Sequence, residues 1–360
     1  MLEQMRGWIF LALVFLCACS GNDTKVEPVQ ENELVVKGVD ISRLPQIEKE
    51  GTQFFNASNV AQNFLSILKE NGVNTIRLKL WVDPIDGNSG MAEVNEFSTR
   101  LRSLGFKLWL TVHYSDTWAD PGKQILPKRW KSLSYVQLKD SVASYTQRVV
   151  RKLKPDFIQI GNEVNSGFLH PHGKMQDNKQ QFIELLKIGS RSVREINKNA
   201  KIMIHFAGVK NANWFFEQIK EVDYDIIGLS YYPIWHGKAI DGLAGDLNDL
   251  SERYQKEIII AETAYPFTLG WNDWTNNIVG SEKDLILPDY TATPEGQKKF
   301  IERIKQIITT DVNRGIGFCY WGAELVAWRG KEAKDGSPWE NQALFDFDFK
   351  ALPVMEAFND

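Results

Sequence analysis

Short apolar runs rich in β-branched residues alternate along the chain with longer stretches in which apolar residues recur every three to four positions. The short runs are hydrophobic almost without interruption, which indicates strands buried on both faces, as in a parallel sheet. The longer stretches have the period of helices that cover such a sheet. The predicted strands are Val35–Ile41, Thr75–Trp81, Phe106–His113, Phe157–Gly161, Lys201–Phe206, Asp225–Tyr231, Glu257–Ala261 and Gly315–Trp321.

A helical pattern follows each of these strands. Eight strand–helix repeats close most naturally into a (β/α)₈ barrel (TIM barrel), here a single domain over residues 34–360. An open, doubly wound sheet is the alternative, but no G-x-G-x-x-G follows any strand. The predicted helices are Ser58–Asn71, Val94–Leu104, Tyr135–Leu153, Asn178–Asn197, Asn213–Glu221, Ala239–Tyr254, Pro294–Thr310 and, after a long loop, Val354–Phe358.

Polar and aromatic side chains collect where the predicted strands end. In barrels of this kind the chemistry takes place at the carboxyl ends of the strands. The opposite ends carry little but turn residues and charges, so the distribution is one-sided. The residues concerned are Asp40, Arg77, Lys79, Trp81, Asp83, His113, Ser115, Asp116, Trp118, Asp120, Asn162, Glu163, Ser230, Tyr231, Tyr232, Glu262 and Trp321.

The N-terminal residues carry a targeting pattern. Arg6 precedes the apolar run Trp8–Ala18, which is too short to span a bilayer as a finished helix and is typical of a signal peptide. The run ends in Leu16-Cys17-Ala18-Cys19, which resembles a bacterial lipobox and implies lipidation of Cys19. An ordinary signal peptide with an incidental cysteine is the alternative.

The residues after Cys19 refine this prediction. Ser20, rather than Asp, follows the cysteine, and by the same resemblance this implies the outer membrane. We therefore expect a signal peptide over residues 1–18, a polar tether over residues 19–33 and an exported lipoprotein that contacts the membrane through its N-terminal lipid only.

Composition narrows the range of partners. The chain has 42 Lys and Arg against 46 Asp and Glu, with no basic run, so no nucleic-acid partner is expected. The 12 Trp and 20 Phe suit either a large core or the binding of sugar rings. Cys319 is the only cysteine of the mature domain, which excludes an intrachain disulfide. We expect a monomer.

Two glutamates stand out because each directly follows a buried apolar run. Glu163 ends the fourth predicted strand and Glu262 the seventh. Hydrolysis of a glycosidic bond needs one protonated and one ionised carboxyl group on either side of the anomeric carbon. Either glutamate alone could be a buried residue paired with a core Arg or Lys, but two of them at strand ends favour catalysis.

Neighbouring residues suit the same chemistry. Asn162 can donate its amide to a sugar 2-hydroxyl, Arg77 can keep Glu262 ionised, and Tyr232 can orient Glu262. Arg77 could instead form an ion pair that only stabilises the barrel. Trp321 would form the floor under the cleaved sugar, although a lone Trp is more often a core residue.

The pair Asn162-Glu163 with Glu262 resembles the clan A glycoside hydrolases, which are retaining barrel enzymes. Over about residues 36–352 the chain resembles, more narrowly, glycoside hydrolase family 53, the arabinogalactan endo-β-1,4-galactanases. The motifs are Gly38-Val-Asp-Ile-Ser42, Arg77-Leu-Lys-Leu-Trp-Val-Asp-Pro84, His113-Tyr-Ser-Asp-Thr-Trp-Ala-Asp-Pro-Gly-Lys-Gln124, Gln159-Ile-Gly-Asn-Glu-Val-Asn165, Leu229-Ser-Tyr-Tyr-Pro-Ile-Trp235, Ala261-Glu-Thr-Ala-Tyr-Pro266 and Trp339-Glu-Asn-Gln-Ala-Leu-Phe-Asp346.

The resemblance implies a substrate and a role for each group. The substrate would be β-1,4-galactan of type I arabinogalactan and pectin, or its oligosaccharides, cut internally with retention. Glu163 would be the acid/base and Glu262 the nucleophile, with no cofactor required. The residues expected to contact the substrate are Asp40, Trp81, His113, Asp116, Trp118, Asp120 and Trp321.

Metal sites receive weaker support. The resemblance allows a structural Ca²⁺ near the long stretch after the seventh strand, where Asp273, Glu282, Asp284 and Asp289 offer oxygens without the spacing of a calcium loop. His170 and His172 suggest zinc, but no third ligand stands at a fitting distance along the chain. A solvated loop or a wall of the sugar cleft is the alternative for this pair.

Two other functions stay open on sequence alone. One is another clan A β-glycanase, such as a mannanase or glucanase, against which the loop after the third strand argues. The other is a surface glycan-binding lipoprotein without catalysis, against which the presence of both glutamates, Arg77 and Asn162 argues.

Overall fold

The structure, a computed structural model, describes residues 36–359. The predicted signal peptide, the tether and Cys19 lie outside these residues and stay predictions. Within the described part of the chain, no helix is both long and apolar enough to cross a membrane.

Eight parallel strands close into a barrel and confirm the predicted fold class. The first strand pairs with the last as well as with the second, so the sheet has no free edge and the doubly wound alternative is wrong. The strands are β1 (Val36–Asp40), β2 (Thr75–Leu80), β3 (Lys107–Val112), β4 (Phe157–Ile160), β5 (Lys201–Ala207), β6 (Ile226–Ser230), β7 (Glu257–Thr263) and β8 (Gly315–Trp321).

Helices cover the outside of the barrel. They are α1 (Leu44–Lys49), α2 (Phe64–Glu70), α3 (Met91–Ser103), α4 (Tyr135–Leu153), α5 (Met175–Ile196), α6 (Ala212–Gln218), α7 (Pro233–His236), α8 (Leu243–Tyr254) and α9 (Pro294–Gln306). A π-helical turn, Ile307–Asp311, continues α9. Short 3₁₀ turns are Lys128–Trp130, Val164–Ser166, Ile240–Gly242, Glu282–Asp284, Glu340–Gln342 and Pro353–Phe358.

The predicted helix Ser58–Asn71 is wrong in its first half. A short hairpin, Phe54–Phe55 with Ala61–Gln62, occupies this stretch, and the helix begins only at Phe64. Asn63 explains the boundary, because its side chain accepts hydrogen bonds from the free N–H groups of the first helical turn.

The last predicted helix lies where expected but has a different form. Residues 353–358 form a 3₁₀ turn rather than an α-helix. Phe358 packs against Phe318 of β8 with ring centroids 5.3 Å apart, so this turn covers the outside of the last strand.

Two apolar layers hold the barrel together. The larger lies between the strands and the helices, and a smaller one fills the inside of the barrel. The inner layer forms a solid floor, above which polar side chains at the carboxyl ends of the strands are exposed to a cavity. Its members are Val36, Trp109, Phe157, Met203, Ile226, Ile259, Ala261 and Cys319.

Candidate active site

A cavity of about 560 Å³ opens at the carboxyl ends of the strands. Both predicted catalytic glutamates line it, together with residues from loops around the whole barrel. The polar residues are Asp40, Ser42, Arg43, Lys79, Asp120, Glu163, His236, Glu262, Glu324 and Ser337, and the aromatic ones are Trp118, Tyr232, Trp235, Trp321, Trp328 and Trp339.

A β-bulge turns Glu262 into this cavity. Strand β7 has one more residue than β6 and β8 between paired positions, since Ile260 and Glu262 face the adjacent residues Leu229 and Ser230. Ala261 already points into the barrel, so strict alternation would turn Glu262 outward. The extra residue cancels that alternation and places the Glu262 carboxylate above the floor.

Two donors hold the Glu262 carboxylate. Arg77 Nη2 donates to Oε1 at 2.7 Å, and the Tyr232 hydroxyl donates to Oε2 at 3.2 Å. Burial raises the pKa of Glu262, while Arg77 and Tyr232 oppose that rise. A cation and a hydroxyl donor together favour the ionised form, which is the form a nucleophile requires.

Arg77 occupies the centre of the barrel. Its Nη1 donates to Asp40 Oδ2 at 2.7 Å, and its guanidinium carbon lies 5.5 Å from the centre of the Trp109 ring. Burial opposes the charge on Arg77, yet the carboxylates of Glu262 and Asp40 raise its pKa. Arg77 is thus a permanent cation, and the same side chain holds the nucleophile candidate and covers the apolar floor.

Glu163 has a different environment, set first by its backbone. Its φ of 45° and ψ of 58° lie in the left-handed region, which is uncommon outside glycine and directs the side chain away from the path of β4. Gln124 Nε2 fixes this turn by donating to the carbonyl of Asn162 at 2.8 Å.

The Glu163 carboxyl group favours a proton. Ser230 Oγ donates to its Oε1 at 2.6 Å, and no Lys, Arg or His nitrogen among residues 36–359 lies within ion-pair distance of it. Burial and the negative charge of Glu262 raise the pKa of Glu163 to about 8. The surroundings of the two glutamates therefore favour a proton on Glu163 and a negative charge on Glu262.

A chain of buried hydrogen bonds stands behind Glu163. His205 Nε2 lies 2.9 Å from Ser230 Oγ, and Gln159 Nε2 lies 2.9 Å from His205 Nδ1. Burial keeps the pKa of His205 well below its usual value, so the ring is neutral. Gln159 then donates to His205, His205 to Ser230 and Ser230 to Glu163, which gives every group in the chain a defined direction.

Asn162 joins the two halves of the site. Its Oδ1 accepts from Arg77 Nη2 at 2.9 Å and from Gln159 Nε2 at 3.0 Å, and its Nδ2 donates to the carbonyl of Ala119 at 2.9 Å. One N–H of the amide is left for a ligand, so donation to a sugar hydroxyl stays a prediction.

Aromatic rings meet edge to face along the cavity wall. Trp321 lies between Trp118 and Trp339, with ring centroids 5.7 and 4.5 Å away. Trp339 also contacts Tyr232 at 5.6 Å. Flat apolar surfaces of this kind suit the C–H faces of pyranose rings. Trp321 lines the cavity, and its predicted place under the cleaved sugar stays a prediction.

Three residues predicted to contact the substrate, Trp81, His113 and Asp116, are not among the residues that line this cavity. His113 Nδ1 accepts from Trp81 Nε1 at 3.3 Å and from the Ala119 backbone at 3.1 Å, so this pair holds the loop after β3. Asp116 Oδ2 accepts from the Lys128 backbone at 2.7 Å. Asp40, Trp118 and Asp120, in contrast, do line the cavity.

The structure does not bring the calcium candidates together. Asp273 accepts from the backbone of Thr275 and Ser337, and Asp284 accepts from Ser281. Among residues 36–359 no group of three or more His, Cys, Asp or Glu could hold a metal ion, and this includes His170 and His172. Two backbone N–H groups thus bind the Asp273 carboxylate.

Sequence reasoning missed four polar residues of the site. Lys79 and Ser230 were recognised at strand ends but given no role, and His205 and Glu324 were overlooked. His205 could have been found, since it is the one ionisable residue within the otherwise apolar stretch 202–207. Glu324 lies in a loop, where no periodic pattern marks a buried residue.

Comparisons with known proteins agree with this geometry. The model of the family described as glycosyl hydrolase family 53 matches residues 36–358. An arabinogalactan endo-β-1,4-galactanase of Cellvibrio japonicus is 31% identical, over 98% of this chain and 97% of that protein.

Solved structures agree as well. The GH53 catalytic domain of Ignisphaera aggregans superposes with a TM-score of 0.86 at 38% identity, covering 92% of this chain and 98% of that one. A fungal β-1,4-galactanase superposes with a TM-score of 0.79 at 28% identity, covering 91% and 99%.

Proposed function

The chain belongs to glycosyl hydrolase family 53, and from this membership we propose that it cleaves internal β-1,4-galactosidic bonds of galactan with retention of configuration. The observation that carries the proposal is the opposite treatment of two glutamates in one cavity. Glu262 is held by a cation and a phenol hydroxyl, and Glu163 by a neutral hydroxyl alone. Hydrolysis by a pair of carboxyl groups requires this division between an anion and an acid. Retention is what the family membership implies.

The first step forms a covalent intermediate. A Glu262 oxygen attacks the anomeric carbon while the proton of Glu163 passes to the leaving glycosidic oxygen, which departs as the new hydroxyl of the aglycone. Arg77 and Tyr232 keep Glu262 ionised and aimed until it attacks.

The second step restores the enzyme. Glu163, now ionised, removes a proton from a water molecule, whose oxygen attacks the anomeric carbon and releases Glu262 as a carboxylate. Once Glu262 is esterified, its charge no longer raises the pKa of Glu163. Glu163 is therefore protonated more readily before the first step, when it must donate a proton, and ionised more readily after it, when it must accept one.

The substrate assignment rests on the named relatives and on the cavity wall. The galactanase of Cellvibrio japonicus matches this chain along nearly its whole length. The Trp118, Trp321 and Trp339 rings offer apolar faces for successive sugar units. The relatives favour a β-1,4-galactan over other β-glycans, and the rings suit a chain of pyranose units.

Reducing-sugar release from β-1,4-galactan tests the proposal. Residues 20–360 are compared with Glu262→Ala, Glu163→Ala and a control, Glu96→Ala, which removes an exposed carboxylate from α3. We expect losses of several orders of magnitude for Glu262→Ala and Glu163→Ala, and none for the control. Proton NMR of the first product should show the β-anomer before mutarotation.

Other outcomes would redirect the assignment. Release of reducing sugar from mannan or glucan but not from galactan would be consistent with the proposed mechanism and would reject galactan as the substrate. Binding of a β-glycan without release would favour a glycan-binding protein, and an α-anomer as first product would reject retention.

We propose further that the chain is exported and held at the outer membrane through lipid on Cys19. The apolar run Trp8–Ala18 followed by this cysteine supports the proposal. Mass spectrometry of the N-terminal peptide should find a diacylglyceryl cysteine, and Cys19→Ser should release the protein from the membrane fraction. An unmodified Cys19 would overturn the anchor.

A further inference from the structure

One wall of the cavity contains a charged group without a protein partner. Lys79, at the end of β2, lines the cavity and is 6% exposed. Within residues 36–359 no acceptor lies within hydrogen-bond distance of its Nζ and no carboxylate within ion-pair distance. The Nζ atom instead lies over two indole rings, 5.2 Å from the centre of Trp81 and 5.6 Å from that of Trp118.

A second incompletely paired group lies in the same wall. Glu324, in the loop after β8, lines the cavity and is 2% exposed. Its Oε1 accepts from the Arg43 backbone at 2.8 Å, whereas its Oε2 has no hydrogen-bond partner among the described residues. Buried polar atoms in native proteins nearly always have a partner. Oε2 is such an exception in a residue that lines the cavity, so a small rotation of this side chain would bring the oxygen to a bound molecule.

Asp40 does not satisfy either group. Its Oδ1 accepts from Ser42 and its Oδ2 from Arg77, so both oxygens are engaged. An unpaired buried ammonium and a half-paired buried carboxyl group each cost folding free energy. Two such costs in one wall of one cavity are explained if a bound molecule supplies the missing partners.

The charges define what kind of molecule fits. An anion would be repelled by Asp40 and by Glu324 when it is ionised, and a cation would be repelled by Lys79. A hydroxyl group accepts and donates at once, so it accepts from Lys79 and either donates to an ionised Glu324 or accepts from a protonated one. The wall therefore selects a neutral ligand rich in hydroxyl groups.

The position of Glu163 indicates on which side of the cleaved bond the sugar at this wall lies. The acid must face the leaving oxygen, so the aglycone lies on the β4 side of the cavity. The wall comes from the loop after β8 (Glu324), from β1 (Asp40) and from β2 (Lys79). These three strands are neighbours in the closed barrel, and β8 lies opposite β4. The wall therefore faces the sugar on the glycone side of the cleaved bond.

We propose that Lys79 and Glu324 together bind a hydroxyl group of a glycone-side galactosyl unit and so help to select the substrate. This inference rests on the proposed function. Burial lowers the pKa of Lys79 to about 8, with the charge of Arg43 acting in the same direction, so the ammonium persists in neutral and acidic solution.

The test compares Lys79→Met, which keeps the length of the side chain, with Lys123→Met, which removes an exposed lysine from the loop after β3. We expect kcat/KM on β-1,4-galactotetraose to fall about ten- to a hundredfold for Lys79→Met, as for the loss of a hydrogen bond to a charged group. The Tm should stay or rise, because an unpaired buried charge is removed. Lys123→Met should change neither quantity.

Glu324 provides an independent arm. Glu324→Gln retains an acceptor and a donor and should stay within a few-fold of the parent, whereas Glu324→Leu should lose activity to a similar extent as Lys79→Met. Equal kcat/KM for Lys79→Met and Lys123→Met would overturn the inference, and so would a fall in kcat/KM accompanied by an equal loss of folded protein. If the parent is inactive on galactan, the proposed substrate is wrong, and the same comparison on the β-glycan that it cleaves decides the role of Lys79.

Discussion

Arg77 Nη2 donates to Glu262 Oε1 at 2.7 Å, although 185 positions separate the two residues in the chain. The contact joins β2 to β7 across the inside of the barrel, and Nη1 of the same guanidinium binds Asp40 on β1. One side chain thus couples the folding of the barrel to the protonation state of the nucleophile candidate.

Arg77→Met should therefore reduce stability and activity together. The substitution leaves Asp40 and Glu262 as buried carboxylates without a cation, which costs about 3–5 kcal/mol of unfolding free energy. Urea denaturation and galactan hydrolysis would measure both effects. Arg191→Met, which removes an exposed arginine from α5, should stay within about 0.5 kcal/mol of the parent; a folded, fully active Arg77→Met would contradict the role assigned to this residue.

Glu163→Gln should gain stability relative to the parent as the pH rises. The pKa of Glu163 is raised from 4.5 to about 8, so the folded chain keeps a proton that the unfolded chain has released. The parent therefore loses stability as the pH rises from about 4.5 through about 8, whereas a neutral amide carries no such dependence. Thermal unfolding of both proteins at pH 4.5 and pH 8.5 measures the difference; a constant Tm difference would mean that the pKa of Glu163 is not raised.

Ser230→Ala should shift the alkaline limb of the pH–activity profile to higher pH. The general acid must be protonated, so kcat/KM of the parent should fall as the pH rises through about 8. The Ser230 hydroxyl donates to Glu163 and favours its carboxylate, so its removal raises the pKa further. Thr111→Val is the control, because it removes a buried hydroxyl that contacts Gln159 but not Glu163. A limb that stays in place in Ser230→Ala would exclude this influence on the acid.

Gly336→Ala should weaken the cavity wall formed by Ser337, Pro338 and Trp339. A Cβ at this position would lie 2.0 Å from Asp273 Oδ2, so the carboxylate would have to leave the Ser337 N–H that it now accepts from. We expect a loss of about 1–3 kcal/mol of unfolding free energy and lower activity. Gly245→Ala, in an exposed turn of α8 with no atom within 4 Å of the new Cβ, should instead gain about 0.5–1 kcal/mol.

The strands could be predicted closely because their signal is local. Burial on both faces requires unbroken apolar runs, and Gly315–Trp321 was predicted to the residue. The start of α2 depended instead on a hairpin and on the Asn63 cap, whose effect appears only once the chain turns back on itself. The bulge in β7 leaves no mark in the sequence, because it is defined by the register with two other strands.

The part of the candidate site that could be predicted from the sequence consists of residues at the ends of strands. Glu163 and Glu262 follow apolar runs and were found, as were Arg77 and Tyr232 beside them. The loop after β3 was harder, since the sequence does not tell whether Asp116 faces the cavity or the Lys128 backbone. Glu324 and Lys79 are proposed to bind substrate because polar atoms of their side chains have no protein partner. Such atoms can be identified only from a three-dimensional structure.

Five of the 12 tryptophans line the cavity, and three of them are in contact through Trp321. Indole emission depends on the water and charge around the ring, so a sugar that displaces water from this wall changes the fluorescence of the protein itself. The chain thus carries its own optical signal for the arrival of substrate. In Glu163→Gln, where we expect turnover to be blocked, that signal would report binding alone and separate affinity from chemistry without any label.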